Sequence, residues 1–542
     1  MEGTNWWTGA VFYEIYMPSF CDGNGDGIGD FKGITSKLDY LAELGVDAIW
    51  LTPYYVSPQV DNGYDIEDYY NVDPDYGTMN DFEDFITRAH EKGLKVIIDL
   101  VLNHTSSAHN WFLQSKSSKK NPKRDWYIWK DGAGSGPPNN WESFFGGSAW
   151  EYDEQTGQYY YHAFAKEQVD LNWSNPEVKQ ALFEVMSFWL EKGIDGFRLD
   201  VINFLTVDRT FGNNPKDQNG EQIHLYDKDQ DGILEILKEI NSFVKRYDDR
   251  FLLGEVGSED LAVLNQYLGP GLMDAVFNFN LGSMAELDSD ELFLQLKKMD
   301  EQLGANELPT LFFSSHDMSR HISRLGRPDE EEVIAKLMST LILTAKGIPF
   351  IYYGDEIGIR DFCAGDITEM KDIQGLTAYK LALEEGKREE EALEKANQSS
   401  RDKSRTPMLW NDEKYSGFST SEPWISLSLG KTKNVSAQFS DPSSLLCYYK
   451  SLLQLRKQLP ALMNGSYKSL NKKGEVIFYT KEANNQEIHV ALNFSSAPQF
   501  FSDIKLSEVE LVISSKRENL DSDKGALLNL LPFEALVFTQ RG

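Results

Sequence analysis

The sequence predicts an α/β protein built on a closed (β/α)8 TIM barrel, with an inserted small domain after strand 3 and a C-terminal antiparallel β-sandwich. Three observations support this fold class. Eight short β-rich runs alternate with amphipathic helical stretches, a long aromatic segment interrupts the alternation, and the periodicity changes near residue 463. Alternating strands and helices form parallel βαβ units, and eight such units close a barrel; an open doubly wound sheet is the structural alternative.

The eight predicted strands are short, apolar and rich in β-branched or aromatic residues. They span residues 11–16, 48–52, 95–102, 193–200, 251–255, 273–277, 310–314 and 349–353. Apolar residues between them recur at the helical period, which predicts helices that include residues 81–92, 175–192, 233–247 and 331–346. A further, strongly charged helix is predicted over residues 381–398.

Two segments depart from this alternation. Residues 105–169 are rich in aromatic residues and glycine and lie between strands three and four, which predicts a small inserted domain. From residue 463 short strands separated by turns appear, at 476–479, 488–492, 509–513 and 535–538. The predicted domains are therefore a barrel in two parts, 1–104 and 170–462, the insert at 105–169, and a sandwich at 463–542.

Composition excludes several classes of protein. Of 542 residues, 41% are hydrophobic and 13% aromatic, which is enough for large cores and excludes a disordered chain. The net charge of −32 makes nucleic acid and anionic membranes poor partners. Three scattered cysteines make neither a disulfide framework nor a thiolate metal site. Because no export signal or apolar membrane segment is recognisable, we expect a cytoplasmic protein; the oligomeric state stays open.

Chemically active residues follow the predicted strands. In barrel enzymes the catalytic groups lie at the carboxyl ends of the strands. Those ends carry, in chain order, Asp99, Asn103, His104, Arg198, Asp200, Glu255, His316 and Asp317. Carboxylates gathered in one pocket cannot all ionise normally, so at least one should have a raised pKa. A nucleophilic carboxylate beside a protonated one is the equipment of glycoside hydrolysis.

The segments around these residues resemble the α-amylase superfamily, glycoside hydrolase family 13, over essentially the whole chain. The motifs are "DLVLNHTS" (99–106), "GFRLDVI" (196–202), "GEV" (254–256) and "SSHD" (314–317), supported by "NGYDIEDYYNVDPDYGT" (62–78) and "QVDLNW" (168–173). Within the superfamily the chain most resembles the oligo-1,6-glucosidase and α-glucosidase branch. The resemblance implies a barrel hydrolase that acts on oligosaccharides.

The resemblance also implies a role for each carboxylate. Asp200 would be the nucleophile that forms a covalent glucosyl intermediate, and Glu255 the general acid and then the general base. Asp317 would hold sugar hydroxyls and stabilise the oxocarbenium-like transition state. Arg198 lies two residues before Asp200 on the same strand face, so its charge should keep that carboxylate ionised.

Six residues would bind the substrate by the same resemblance. Besides Arg198, His104 and His316 would hydrogen-bond glucose hydroxyls, Tyr64 would stack on the sugar ring, and Asp65 would hold its terminal hydroxyls. Arg405 in "SRTPMLW" would help to close the non-reducing end of the pocket. In one departure, Ser315 precedes His316 where many relatives carry Asn, which puts sugar contacts rather than the basic chemistry in question.

A Gly-rich acidic loop follows the first strand. Oxygen-bearing side chains alternate through "DGNGDGIGD" as at the start of a calcium loop, but the twelfth position is Gly33, which excludes an EF-hand. The resemblance implies a structural calcium ion bound by side chains of Asp22, Asn24, Asp26 and Asp30 and the backbone oxygen of Ile28. A second acidic run, 227–232, precedes a predicted helix and is interpreted as an N-cap cluster.

The sequence predicts a retaining, exo-acting α-glucosidase for short oligosaccharides. Val201 follows the nucleophile, and a β-branched side chain there resembles enzymes that prefer α-1,6 links. Four alternatives stay open: an α-1,4 preference, a trehalose-6-phosphate hydrolase using Arg320, Arg324 and Arg327, a sucrose isomerase or transglucosylase, and a non-catalytic sugar-binding or transporter-partner protein. The last is disfavoured because all three carboxylates are present.

Overall fold

A computed structural model describes residues 5–304, 307–428, 433–505, 509–520 and 527–540. Eight parallel strands form its central sheet. They are β1 Phe12–Ile15, β2 Ala48–Leu51, β3 Lys95–Val101, β4 Gly196–Asp200, β5 Phe251–Gly254, β6 Ala275–Val276, β7 Thr310–Leu311 and β8 Ile348–Tyr352. Each lies within two to three residues of its predicted position, and the predicted TIM barrel is confirmed.

The strands are ordered β6-β5-β4-β3-β2-β1-β8-β7 by backbone hydrogen bonding. The two ends of this order, β6 and β7, are joined by side chains. Thr310 donates its amide to the Asn278 side chain (2.8 Å) and its hydroxyl to the Val276 carbonyl (3.1 Å), while the Asn278 amide donates to the Thr310 hydroxyl (2.8 Å). Side-chain hydrogen bonds therefore complete the ring at this seam.

The strands alternate between two apolar environments because neighbouring side chains of a strand point to opposite faces. In β1, Phe12 packs inside the barrel, whereas Tyr13 and Ile15 face the surrounding helices. The lower barrel interior is aromatic and aliphatic, with Trp50, Phe251 and Phe350 among its members. At the carboxyl ends of the strands the same inward face carries charged groups instead, and these form the site described below.

Amphipathic helices cover the outside of the strands. The main ones are Leu38–Leu44, Met79–Glu91, Pro176–Glu191, Ile233–Val244, Ser289–Gln302, Glu331–Thr344 and Leu445–Gln458. The helix Pro176–Glu191 begins with ordinary capping chemistry: Asn175 accepts a hydrogen bond from the Glu177 amide, and Pro176 fills the first helical position. The prediction of a single charged helix at 381–398 is wrong. The structure has two helices there, Ile373–Glu384 and Glu389–Ser399, and the turn between them contains Gly386 at φ +83°.

The inserted segment begins and ends on one short ladder. His104–Ser106 pairs antiparallel with Gln168–Asp170, which brings the two ends of the insert together. Between them lie the helix Asn110–Ser117 and a three-stranded sheet of Trp129–Lys130, Gln158–Tyr161 and Trp150–Asp153. An aromatic cluster joins the insert to the loop after β4, because Trp141, Trp150 and Tyr161 pack with Phe204 and Val207.

The C-terminal region is antiparallel. Its larger sheet contains Ser466–Lys473, Val476–Ala483, Gln486–Asn493, Ala535–Gln540 and Val509–Ser514, and a second sheet pairs Gln499–Lys505 with Leu527–Leu530. Lys481 is buried where this region meets the barrel and donates hydrogen bonds to the carbonyls of Ala345 (3.2 Å) and Leu462 (2.9 Å). Across the described parts of the chain, no helix has both the length and the apolar character needed to cross a membrane.

Candidate active site

Strand periodicity places the charged residues at the top of the barrel interior. In β3, Asp99 shares a face with Ile97, which packs inside the barrel; in β4, Gly196, Arg198 and Asp200 share the inward face. Glu255 is the first residue after β5, and its backbone amide continues the ladder by donating to the Leu199 carbonyl (2.9 Å). The fold therefore brings three predicted carboxylates to one edge of the barrel.

Arg198 joins these carboxylates. Its Nη1 atom lies 2.9 Å from Asp99 Oδ1 and 2.7 Å from Asp200 Oδ1, and its Nη2 atom lies 2.6 Å from Glu255 Oε2. The guanidinium is buried, as are Asp99 and Asp200. One permanently charged group thus holds the predicted nucleophile and the predicted acid in a fixed relation.

The two central carboxyl groups differ in pKa. Burial raises the pKa of Asp200 to about 6, although the Arg198 charge opposes the rise. Burial raises the pKa of Glu255 further, to about 8, and the neighbouring Asp200 charge adds to the rise. Near neutral pH Asp200 is therefore ionised and Glu255 holds a proton. These are the protonation states that a nucleophile and a general acid need.

Asp317 lies on the opposite side of the site among cationic groups. Its carboxylate is 2.9 Å from His316 Nε2, 3.2 Å from Arg405 Nη2 and 3.5 Å from Arg401 Nη1. Burial disfavours its charge, but the charges of His316 and the two arginines outweigh burial and hold the pKa of Asp317 well below its usual range. Asp317 is thus a permanent anion that is available to hydroxyl groups.

These groups surround a cavity of about 230 Å³. Five residues predicted from the sequence line it: Tyr64, His104, Asp200, Glu255 and Asp317. The remaining lining is mostly apolar or belongs to one ion pair, and consists of Asp61, Phe145, Phe164, Gln168, Val201, Phe279, Met318, Gln374 and Arg401. The cavity is smaller than the ~300–1,000 Å³ of pockets for drug-sized ligands, which fits an occupant of about one sugar ring.

The structure does not place Asp65 at the cavity, where the sequence predicted it. Its fully buried carboxylate accepts hydrogen bonds from the backbone amides of Val60 (3.0 Å) and Asp61 (2.9 Å), so both of its oxygens are used inside the loop. Asp61 lines the cavity instead. Asn62 at φ +49° and Gly63 at φ +98° turn the chain between the two carboxylates, and sequence spacing alone does not determine which side of that turn faces the pocket.

Arg405 likewise lies behind the cavity, and Arg401 takes the predicted position. Arg405 is fully buried and donates through Nε to the His316 carbonyl (2.8 Å) as well as contacting Asp317. Arg401 lines the cavity, pairs through Nη2 with both Asp61 and Asp372, and contacts Asp317 through Nη1. The signal for Arg401 was present in "SRDKSR", where two arginines lie four residues apart.

The other four predicted binding residues support the cavity in different ways. The Tyr64 hydroxyl donates to Asp99 Oδ2 (2.8 Å), and the Tyr64 ring stacks on the His316 imidazole with ring centres 5.5 Å apart. His316 and Arg198 lie behind the lining and act through the carboxylates that they contact. Burial lowers the pKa of His104 to about 3, so it offers the cavity a neutral imidazole.

The predicted calcium loop folds around its own side chains. Asp22 accepts hydrogen bonds from the amides of Asn24 (3.0 Å) and Gly27 (2.8 Å), while Asp30 Oδ2 accepts from the amides of Gly23 and Asn24. In the described residues no three His, Cys, Asp or Glu side chains are arranged to hold a metal ion. The donors fit calcium only as a mixed oxygen set that includes the Asn24 amide and the Ile28 carbonyl, so the metal stays a prediction.

The N-cap interpretation of residues 227–232 is wrong. The helix Ile233–Val244 begins at Gly232, which has no side-chain cap and lies at φ +94°. Asp227 is buried and accepts hydrogen bonds from Asn214 (3.0 Å) and His224 (2.8 Å). Asp229 accepts from Asn203 and Tyr267. This acidic run therefore organises the loop before the helix instead of capping it.

Comparisons with known proteins agree with this geometry. The family model for the alpha amylase catalytic domain matches residues 14–465. An oligo-1,6-glucosidase of Bacillus cereus is 40% identical over 98% of this chain and 99% of its own length, and a trehalose-6-phosphate hydrolase of Bacillus subtilis is 39% identical over 99% and 98%. The crystal structure of a trehalulose synthase from Pseudomonas mesoacidophila superposes with a TM-score of 0.91 at 34% identity, covering 99% of this chain and 100% of that one.

The fold and the paired carboxylates define a barrel glycoside hydrolase, as the sequence predicted. More narrowly, the chain belongs to the alpha-amylase family, glycoside hydrolase family 13. Its relatives extend over its whole length, so the inserted and C-terminal regions are part of the same similarity.

Proposed function

We propose that this protein is a retaining, exo-acting α-glucosidase that removes glucose from the non-reducing ends of short oligosaccharides and prefers α-1,6 links. The observation that carries the proposal is the pairing of ionised Asp200 and protonated Glu255 by Arg198 at the base of a small cavity. The two carboxyl groups are close together, because both contact the same guanidinium. Retaining enzymes hold these groups about 5 Å apart, whereas inverting enzymes leave about 6.5–9.5 Å for a water molecule.

In the proposed reaction, an Asp200 oxygen attacks the anomeric carbon as Glu255 donates its proton to the glycosidic oxygen. The C–O bond breaks, the leaving sugar departs as an alcohol, and glucose stays bound to Asp200 as an ester. Glu255, now ionised, takes a proton from a water molecule that attacks the same carbon and releases Asp200. Asp317 holds hydroxyl groups of the ring through both displacements.

Exo action follows from the closed end of the cavity. Arg401 bridges Asp61 and Asp372, and this buried ion-pair group forms one wall of the pocket beside Asp317. A wall of paired charges offers hydroxyl-binding atoms to a terminal sugar and leaves no passage for a longer chain. An endo-acting enzyme would need an open groove, which a cavity of about 230 Å³ does not provide.

The linkage preference rests on Val201. Its backbone amide donates to Glu255 Oε2 (3.2 Å), and its side chain lines the cavity, so it lies beside the group that protonates the leaving sugar. A β-branched side chain narrows this region, which favours a leaving group attached through an extended CH2–O link. The oligo-1,6-glucosidase relatives support the same preference.

A phosphorylated substrate is the weaker candidate. Arg320 is buried against the carbonyls of Tyr353 and Ser404, Arg324 donates to four backbone carbonyls, and Arg327 lies over the Phe533 ring. None of the three lines the cavity. The apolar lining around Val201 instead favours a neutral leaving sugar, although trehalose-6-phosphate hydrolases and a trehalulose synthase are among the similar proteins.

The test is product analysis with isomaltose, maltose, sucrose, trehalose and trehalose-6-phosphate. Glucose should appear fastest from isomaltose, first as the α-anomer, since retention preserves the anomeric configuration. The matched control is Asp200→Asn, which keeps shape but removes the nucleophile. Faster cleavage of trehalose-6-phosphate, isomeric disaccharides from sucrose, or β-glucose as the first product would each overturn part of the proposal.

We also propose that the loop after β1 binds one structural calcium ion. Asp22, Asn24, Asp26 and Asp30 would supply side-chain oxygens and Ile28 a carbonyl oxygen; the ion would supply charge that holds the loop. The loop is seated on a distant segment, because Asp22 accepts from the Ser419 hydroxyl and Gly25 from the Ser421 hydroxyl. Calcium titration of EDTA-treated protein, followed by melting temperature, should raise the midpoint in wild type but not in Asp26→Asn. An equal rise in both proteins would contradict this site.

A further inference from the structure

Glu14 is a buried carboxylate on the inward face of β1, where the apolar run "VFYEIY" gives no reason for a charge. It is 2% exposed. Its Oε1 atom lies 2.5 Å from His316 Nδ1 and 3.2 Å from the His316 backbone nitrogen, so its contacts converge on one residue. A carboxylate placed in a barrel interior needs such a partner, because an unpaired buried charge is strongly unfavourable.

Both nitrogens of the His316 ring face acceptors. On the other side of the ring, Nε2 is 2.9 Å from Asp317 Oδ2 and 2.7 Å from the Tyr64 hydroxyl oxygen. The Tyr64 hydroxyl gives its own hydrogen to Asp99, so it accepts from His316. An imidazole that must donate from both nitrogens carries two protons and is therefore an imidazolium.

We propose that Glu14 is a positioning residue that keeps His316 as an imidazolium, through which Asp317 is held ionised and in place for the sugar hydroxyls. The inference rests on the proposed glucosidase reaction. Glu14 itself does not line the cavity and acts only through His316. The arrangement resembles the way a buried carboxylate orients a catalytic histidine elsewhere, but here its effect is to fix a second carboxylate.

The electrostatic surroundings agree with a charged ring. Burial alone would lower the pKa of His316, but the charges of Asp317 and Glu14 outweigh it and raise this pKa to about 9. Arg405 is a neighbouring cation, since its Nε donates to the His316 carbonyl (2.8 Å), and a positive charge there opposes that of an imidazolium. The titratable or charged groups that face His316 from every packed element are Glu14, Tyr16, Tyr64, Asp99, Asp317 and Arg405.

The first experiment is an NMR titration of ¹⁵N-histidine-labelled wild-type protein, with the His316 signals assigned from their loss in His316→Gln. Both ring nitrogens of His316 should remain protonated at pH 7.5 and titrate near pH 9. A neutral ring at pH 7.5 would overturn the proposal without reference to any activity, so the proposed reaction is tested separately.

The second experiment uses Glu14→Gln, which keeps an oxygen acceptor for His316 Nδ1 but removes the charge. A charge within hydrogen-bonding distance shifts a pKa by about 1–3 units, so the His316 midpoint should fall to about pH 6–8. KM for isomaltose should then stay within about threefold of wild type at pH 6 and rise about tenfold at pH 8.5, since most rings are neutral there. The ratio of kcat between Glu14→Gln and wild type should change less with pH than the ratio of KM, because Glu255 donates the proton in both proteins.

The matched control is Glu356→Gln. Glu356 is equally buried, accepts hydrogen bonds from the hydroxyls of Tyr13 (2.7 Å) and Tyr40 (2.6 Å), and does not touch His316. It should leave the pH dependence of KM unchanged. In a His316→Gln background, Glu14→Gln should add no further pH dependence. A pH-independent loss in Glu14→Gln, or an equal shift in Glu356→Gln, would show that Glu14 is merely structural.

Discussion

Replacing Arg198 with Gln tests the electrostatic logic of the site. The substitution removes the guanidinium that contacts Asp99, Asp200 and Glu255 and leaves a neutral side chain of similar reach. Breaking a buried ion pair by removing one partner costs about 3–5 kcal/mol of folding stability. The variant should therefore melt at a lower temperature and should be assayed well below its transition.

The expected loss of activity follows from the pKa of the nucleophile. With a pKa of about 6, Asp200 is about nine-tenths ionised at pH 7. Removing an opposite charge at hydrogen-bonding distance raises a carboxyl pKa by about 1–3 units, and a rise of two units leaves about one-tenth ionised. Protonation alone then lowers kcat/KM about tenfold at pH 7. Because the reactive form is the carboxylate, this part of the loss must be recovered as the pH increases.

The assay is the pH dependence of kcat/KM for isomaltose. Wild type should give a bell whose limbs, near pH 6 and 8, belong to the coupled pair Asp200 and Glu255. In the Arg198→Gln protein both limbs should move to higher pH. Arg320→Gln, which removes an equally buried guanidinium away from the cavity, is the matched control and should keep the limbs in place. Lost activity with unmoved limbs in Arg198→Gln would refute the reasoning.

Three further predictions concern specificity, the pocket wall and stability. Val201→Ala should raise the ratio of kcat/KM for maltose to kcat/KM for isomaltose by about 5–150-fold, which corresponds to the ~1–3 kcal/mol that one side chain can contribute to discrimination. An unchanged ratio, measured from initial rates, would contradict this prediction. Arg401→Gln removes the cation that bridges Asp61 and Asp372, so the KM for isomaltose should rise. A KM equal to that of wild type would show that this wall does not bind the sugar. Burial holds the pKa of Lys481 well below its usual range, so the contribution of Lys481 to stability weakens as pH falls below about 10.4, the pKa of a lysine in an unfolded chain. Lys481→Met should therefore raise the melting temperature more at pH 8 than at pH 10, and an equal rise at both would contradict this account.

The barrel was predictable because its strands are continuous apolar runs buried on both sides. Glycine and charged residues bound those runs, so their positions along the chain were readable. The strand Ser466–Lys473 was missed because it is largely polar and exposed, at the edge of the C-terminal sheet, where burial imposes no apolar pattern. The turn at Gly386 separates two helices where the sequence predicted one, because a single glycine inside a charged helical pattern is a weak signal for a turn.

The site was predictable where strand position fixes the side chain. Asp200 and Glu255 lie at the ends of β4 and β5, so strand geometry brings them together. The position of Asp65 was not predictable because a loop turn, and not a strand, determines which carboxylate faces the pocket. Glu14 was missed although a lone carboxylate in an apolar strand is an unusual pattern, and Arg401 because its partner Asp61 is 340 residues away. Sequence gives the residue types, but pairing across that separation depends on the complete fold.

That separation has a consequence for synthesis. The wall of the pocket needs both Asp61 and Arg401, and the loop around Asp22 needs Ser419. In each case the N-terminal residue is synthesised long before its C-terminal partner. At about 5–20 residues per second, a ribosome takes roughly 20–70 s to span the interval. Until residues 348–352 emerge, β1 lacks its neighbour β8 and exposes apolar surface. A nascent chain stalled before residue 400 would thus bind no sugar, and chaperone occupancy on ribosomes should end only after the last barrel loop emerges.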